Sequence, residues 1–116
     1  MHFKLIVAFV EDTKTAKIME AARQAGATGA TVVGDARGEG LQPRKTFLGL
    51  TMELSRDMVL FLVEEHLSRR ILERIAEVAE FETKPGCGVA FQIDVEDVIG
   101  LSSQIKKILP SLEEEI

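Results

Sequence analysis

Residues 58–63 read Met58-Val59-Leu60-Phe61-Leu62-Val63, six apolar side chains in a row, bounded by Arg56-Asp57 before and Glu64-Glu65 after. A run this short, rich in β-branched and aromatic residues, predicts a strand rather than a helix. Because no position alternates to a polar residue, both faces of the strand have to be covered. That places it in the middle of its sheet.

The chain on either side supplies its partners. Downstream, Glu64, Glu65 and His66 open a helix over about 67–80, with Leu67, Ile71, Ile75 and Val78 as its apolar stripe. Arg69, Arg70, Glu73, Arg74 and Glu77 form its solvated face. The loop 82–88 (ETKPGCG) then leads to a strand at 89–95, and 103–109 predicts a short amphipathic helix that Pro110 ends. Upstream, the almost continuously apolar 3–10 (FKLIVAFV) predicts a first strand, stopped by Glu11 and Asp12. Asp12 or Thr13 caps a helix to about Ala25, with Ile18, Met19, Ala22 and Ala25 on one face. Gly26 supplies the left-handed residue that ends it. A second strand over 30–36 (ATVVGDA) leads into the polar stretch 37–56, RGEGLQPRKTFLGLTMELSR.

The order βαββαβ predicts an α+β, ferredoxin-like sandwich, a four-stranded antiparallel sheet with both helices on one face, as a single domain over 1–116. Alternate residues of 58–63 then lie on the face without helices. An apolar face of that extent belongs against another copy of the chain. The apolar share of 46% and mean hydropathy of +0.10, both high for a small monomer, point the same way.

Composition narrows the function classes. With 14 basic and 19 acidic residues the net charge is -5, the wrong sign for a general nucleic-acid binder. No apolar run approaches the roughly 18 to 20 residues of a membrane span, and MHFKLIVAFVED turns acidic too soon for a signal peptide. The single cysteine, Cys87, excludes an internal disulfide and fits a reducing cytosol. The expectation is a cytoplasmic domain that does not insert into membranes.

Signals of catalysis are few. HExxH, CxxC and Walker-type loops do not occur, and the dinucleotide fingerprint fails at Pro43. His2 and His66 stand in no metal-ligand pattern, so no metal site is expected from them. Cys87, flanked by Gly86 and Gly88, reads as a small-residue turn position, with no histidine nearby to activate it. No coupled acid, base and nucleophile can be placed, so the chain reads as a non-enzyme.

Two loops carry what chemistry there is. In Lys84-Pro85-Gly86-Cys87-Gly88, paired glycines let backbone N–H groups converge on an anion. The stretch 37–56 begins with the glycine-spaced turn Arg37-Gly38-Glu39-Gly40-Leu41-Gln42 and gathers Arg37, Arg44, Lys45 and Arg56 against only Glu39 and Glu53. Such cations grip phosphate or carboxylate. A polar loop this long between two strands is functional or disordered.

The combination is more specific than either loop. Gly29-Ala30-Thr31, Arg37-Gly38-x-Gly40-x-Gln42, Lys84-Pro85-Gly86-x-Gly88-x-x-Phe91 and Asp94-Val95-x-x-Val98-Ile99, in that order across most of the chain, resemble the PII signalling family. The resemblance implies a homotrimer that binds adenine nucleotides in clefts between subunits. It also implies a T-loop, here about 37–56, which docks onto transporters or enzymes with Arg44, Lys45 and Phe47 as its partner-binding residues. A B-loop falls at about 82–88 and a C-terminal segment at about 100–116. The effector-binding set it implies is Arg37, Gly38, Gly40, Gln42, Arg56, Lys84, Gly86 and Gly88. Gln42 matches a glutamine that helps hold magnesium and 2-oxoglutarate, and Arg56 stands where the family has a lysine that meets that acid's carboxylate.

Departures from the family pattern redirect the ligand. Gly86-Cys87-Gly88-Val89 replaces the usual Gly-Asp-Gly-Lys, and Gly100 and Ser102 occupy the places of two phosphate-binding arginines. At roughly 1.5 to 3 kcal/mol for each hydrogen bond to a charged group, the missing cations weaken a triphosphate most. ADP, AMP or a different small anion is therefore expected ahead of ATP, as an effector and not a tightly held cofactor. With no tyrosine in the chain, tyrosine nucleotidylation is impossible. The alternative is a metal-tolerance-like or structural trimer of the same fold that senses no nucleotide.

Overall fold

A computed structural model of the chain describes residues 1–36, 56–84, 86–101 and 110 in full and the backbone of 46–47 and 50–51. Strand β1 covers Phe3–Glu11, and one turn of 3-10 helix at Asp12–Lys14 leads into helix α1 at Thr15–Gln24. Strand β2 follows at Thr31–Ala36, and the short strands β3 (Thr46–Phe47) and β4 (Leu50–Thr51) pair with each other. Strand β5 at Arg56–Glu64, helix α2 at Glu65–Val78 and strand β6 at Gly88–Val95 complete the described elements. The tail helix expected at 103–109 lies outside the described residues.

The main sheet is antiparallel with strand order β2-β5-β1-β6, so the apolar run 58–63 does occupy a central strand. The run divides between two faces at the strand period. Val59, Phe61 and Val63 are buried, and Met58, Leu60 and Leu62 are half-buried. The buried set joins Ile6, Ala8 and Val10 of β1, Ile18 and Ala22 of α1, and Leu67, Ile71 and Ile75 of α2 in one core. This is the expected ferredoxin-like sandwich.

The opposite face is apolar in each row apart from Thr31. Cross-strand register aligns Val33, Met58, Phe9 and Val89, then Thr31, Leu60, Val7 and Phe91, and then Leu62, Leu5 and Ile93. Val33, Phe91 and Ile93 remain 42%, 39% and 49% exposed. The rings of Phe9 and Phe91 lie 6.5 Å apart, a diagonal contact on this face.

Both helices stop by the same device. Gly26 takes φ 119, with its N–H bonded to Arg23 O and the Ala27 N–H bonded to Ala22 O. This double closure satisfies the last free carbonyls of α1. Helix α2 closes identically through Glu80 at φ 61, a conformation that disfavours a non-glycine residue. The helix therefore ends at Val78, two residues before the expected Glu80. Helix α1 also begins later than expected. Neither Asp12 nor Thr13 caps it; the Thr15 N–H bonds Asp12 O in a 3-10 turn, and the Thr15 hydroxyl donates to Asp57 Oδ2 at 2.6 Å.

Candidate functional site

One end of the sheet brings together four strand termini. Ala36 at the end of β2 pairs with Arg56 at the start of β5, and Arg56 pairs with Glu11 at the end of β1. The pairing of Val10 with Gly88 carries the row on toward Cys87 at the start of β6. The base of the segment 37–55 and the glycine turn 84–88 thus meet at the same edge, although about thirty residues separate them in sequence. A β-bulge between Val33 and Ala36, with Asp35 at φ 55, turns β2 out of the ladder just before that segment. Asp35 and Glu80, the two described non-glycine residues at positive φ, therefore each flank one of the candidate loops.

Backbone hydrogen bonds shape the turn from within. The N–H groups of Thr83 and Lys84 donate to Glu80 O, and that of Cys87 donates to Lys84 O. Gly86 takes φ 79, which only glycine adopts without strain. Gly88 is required for a different reason. A Cβ there would run into the ring of Phe81 and come within 2.7 Å of Phe9 O, so its backbone lies directly on β1. Cys87 is buried, with Sγ 3.5 Å from the carbonyls of Ala79 and Glu80, the small turn residue that the sequence implied.

The cations around the turn differ in availability. Lys84 Nζ lies 2.7 Å from Glu80 Oε2 with both side chains substantially exposed. Their hydrogen bond, and then their charges, hold the Glu80 carboxyl below and the Lys84 amine above the usual range. Lys14 Nζ donates to Ala79 O at 2.9 Å, capping the C-terminus of α2. Arg56 is 3% exposed and points inward, with Nη1 donating to Cys87 O at 2.8 Å and Nη2 to Gly86 O at 3.0 Å. Glu11 Oε1 stands 3.6 Å from Nη1.

Of the effector-binding residues expected from sequence, the structure brings Arg56, Gly86 and Gly88 together, with Lys84 at the rim of the turn. Arg37, Gly38, Gly40, Gln42, Arg44 and Lys45 lie outside the described residues, and of Phe47 only the backbone is described. Glu11 was not singled out by the sequence, and no local signal marks it. It joins the site only through a register 45 residues away.

Two further features lie away from the turn. A cavity of ≈ 360 Å³ beside α1 is lined by Met19, Arg23, Ala27, Thr28, Ala30 and Phe61 among others. Glu64, Glu65 and His66 offer ligand atoms within 4.8 Å of one another at the opposite end of β5. That group is accounted for by helix capping. Glu64 is 1% exposed, accepts from the His66 N–H at 2.7 Å, and lies 2.5 Å from His66 Nδ1.

A ferredoxin-like sheet, with a glycine turn and the facing ends of β2 and β5 at one edge, defines a class of small α+β domains. The sequence model of the family described as nitrogen regulatory protein P-II matches residues 3–104. The chain belongs to that family. No curated protein sequence matches it. Among solved structures, it is similar to one described as a PII-like signalling protein from Thermus thermophilus, at 26% identity and TM-score 0.62, covering 84% of this chain and 91% of the other. The fold is shared with CPII from Thiomonas intermedia bound to ADP, AMP and acetate, at 22% identity and TM-score 0.59, covering 83% and 90%. It is shared too with the apo form of CPII, a nitrogen regulatory PII-like protein, at 22% identity and TM-score 0.60, covering 84% and 96%. Among the described residues, no helix is long and apolar enough to cross a membrane.

Proposed function

We propose that this chain is a non-catalytic cytoplasmic regulator that binds an adenine nucleotide, ADP or AMP in preference to ATP, between the subunits of a homotrimer. The observation that carries this reading is the meeting of the glycine turn 84–88 with the base of the segment 37–55 at one sheet edge. A ligand held there by Lys84, Gly86 and Gly88 from the turn and by Arg37, Gly38, Gly40 and Gln42 from the segment bears on both stretches at once, with Arg56 buried behind the turn. Ligand binding then biases the conformation of 37–55, which meets a target protein, such as a transporter, through Arg44, Lys45 and Phe47. A ligand shifts such an equilibrium only by its difference in affinity for the two loop states, and cations in the loop supply that difference. Magnesium, if it accompanies the nucleotide, falls to Gln42. The apolar rows on the open sheet face support assembly, because an exposed face of this kind is ordinarily an interface.

Limited trypsin digestion tests the sensing step, since Arg37, Arg44 and Lys45 are cleavage sites within the segment. The expected result is cleavage slowed by ADP or AMP. Cleavage at the same rate with and without nucleotide would instead favour a structural trimer.

A further inference from the structure

Arg56 is the most completely buried cation of the described residues, and it sits where the two candidate loops join. We infer that Arg56 is a positioning residue, which sets the conformation of the 84–88 turn from behind and does not itself touch the nucleotide. This rests on the preceding reading that a nucleotide binds at that turn.

The geometry supports a tie rather than a ligand contact. Neighbouring strands lie about 4.8 Å apart, so from β5 the side chain must cross the whole of β1 to reach the start of β6. It does so, and its two terminal nitrogens donate to two successive carbonyls, Nη2 to Gly86 and Nη1 to Cys87. A planar guanidinium can hold two such acceptors at once, whereas an ammonium is a point charge. Because each peptide is planar and trans, a carbonyl fixed toward Arg56 fixes the N–H of the following residue away from it. The inward carbonyls of Gly86 and Cys87 therefore help to set the directions of the Cys87 N–H, which also donates to Lys84 O, and of the Gly88 N–H. Without this tie the Cys87 N–H keeps its bond to Lys84 O and Gly88 keeps its pairing with Val10, but Gly86 lets the backbone between them sample more conformations.

The charge of Arg56 is already engaged. The side chain is 3% exposed, donates to two carbonyls and has the Glu11 carboxylate 3.6 Å away. Contact with a phosphate would require leaving that site and stranding the Gly86 and Cys87 carbonyls without their donor. Arg56 should accordingly support ADP and AMP equally, because it acts on the turn and does not count phosphates. Its backbone also pairs with Ala36, the residue that precedes 37–55.

The test compares Arg56→Met and Arg56→Lys with the wild-type protein. Amide exchange across 84–88 is measured without ligand, and calorimetric affinities are measured for ADP and AMP. Losing the tie should speed exchange of the turn amides and weaken both nucleotides by about tenfold, the scale of one net hydrogen bond. The ADP to AMP affinity ratio should stay unchanged. Arg56→Lys keeps the charge without the fork and should behave like Arg56→Met; it also serves should the latter fail to fold. Unchanged exchange in the turn would overturn the inference, as would a variant that weakens ADP far more than AMP, which marks direct phosphate contact. Unaltered affinities in folded variants would reduce Arg56 to a purely structural role. Should the wild-type chain bind neither nucleotide, the preceding reading falls, and the exchange data alone decide whether Arg56 sets the turn.

Discussion

Replacing Gly88 by Ala isolates the contact between the turn and the sheet. A Cβ at this position would lie 2.7 Å from Phe9 O and 2.9 Å from Phe81 Cδ1, with another ring atom closer still. The Phe81 ring can move, but Phe9 O belongs to the backbone of β1, which is paired on both sides by β5 and β6. The strain therefore cannot be relieved by one rotamer change. Overpacking of this kind costs about 1 to 3 kcal/mol, and the rigid neighbour argues for the upper part of that range. Alanine restricts the unfolded chain more than glycine, which offsets roughly 0.5 to 1 kcal/mol. The net expectation is a loss of about 2 kcal/mol, or roughly 8 °C in Tm for a domain of this size. Thermal unfolding by circular dichroism at one fixed protein concentration measures it, concentration being held because assembly shifts Tm. Adding Phe81→Leu to the Gly88→Ala chain removes the ring edge and should recover part of the loss, leaving the share due to Phe9 O. A Gly88→Ala protein that melts at or above the wild-type temperature would refute the packing argument.

Other consequences are equally direct. The hydrogen bond from His66 to Glu64, reinforced by the carboxylate's charge, raises the His66 pKa above its ordinary 6.5. A raised folded pKa stabilises the fold fully below pH 6.5, and that contribution disappears as pH rises through the folded value. Imidazole NMR titration should show His66 deprotonating above 6.5 and Glu64→Gln moving it down; an unmoved midpoint would contradict the pairing. Phe91, 39% exposed on the helix-free face, offers a test of assembly. In the proposed trimer Phe91→Glu would place a charge in the interface between copies, at a cost of several kcal/mol, and light scattering of this variant should then report monomers. Equal masses for the two proteins would remove the sheet face as the interface.

Much of this architecture was legible in local patterns. The run 58–63 required a central strand because its six side chains allow no exposed face, and the structure divides them between core and open face as the strand period demands. Gly26 marked the end of α1 because a left-handed closing residue is a local requirement. Helix starts were less legible. Thr15, the first residue of α1, bonds Asp57, a residue 42 positions away, and no side chain caps the helix, so neither feature can be read from local sequence. The site divides in the same way. Gly86 announces itself through its neighbours, but the burial of Arg56 does not. Its acceptors are main-chain carbonyls 30 and 31 residues later, and carbonyls leave no trace in residue identity. Gly88 reads as a ligand-binding glycine in sequence, whereas the structure adds a packing reason for it in Phe81 and Phe9.

Whether this chain binds adenine nucleotides at all decides its proposed role. Isothermal calorimetry of the purified protein with ADP, AMP and ATP addresses that question without any variant. The expected result is saturable binding of ADP and AMP at millimolar concentrations or below, with ATP no tighter than ADP because the usual phosphate cations are replaced by Val89, Gly100 and Ser102. Absence of binding by all three nucleotides across that range would contradict the proposed sensing function.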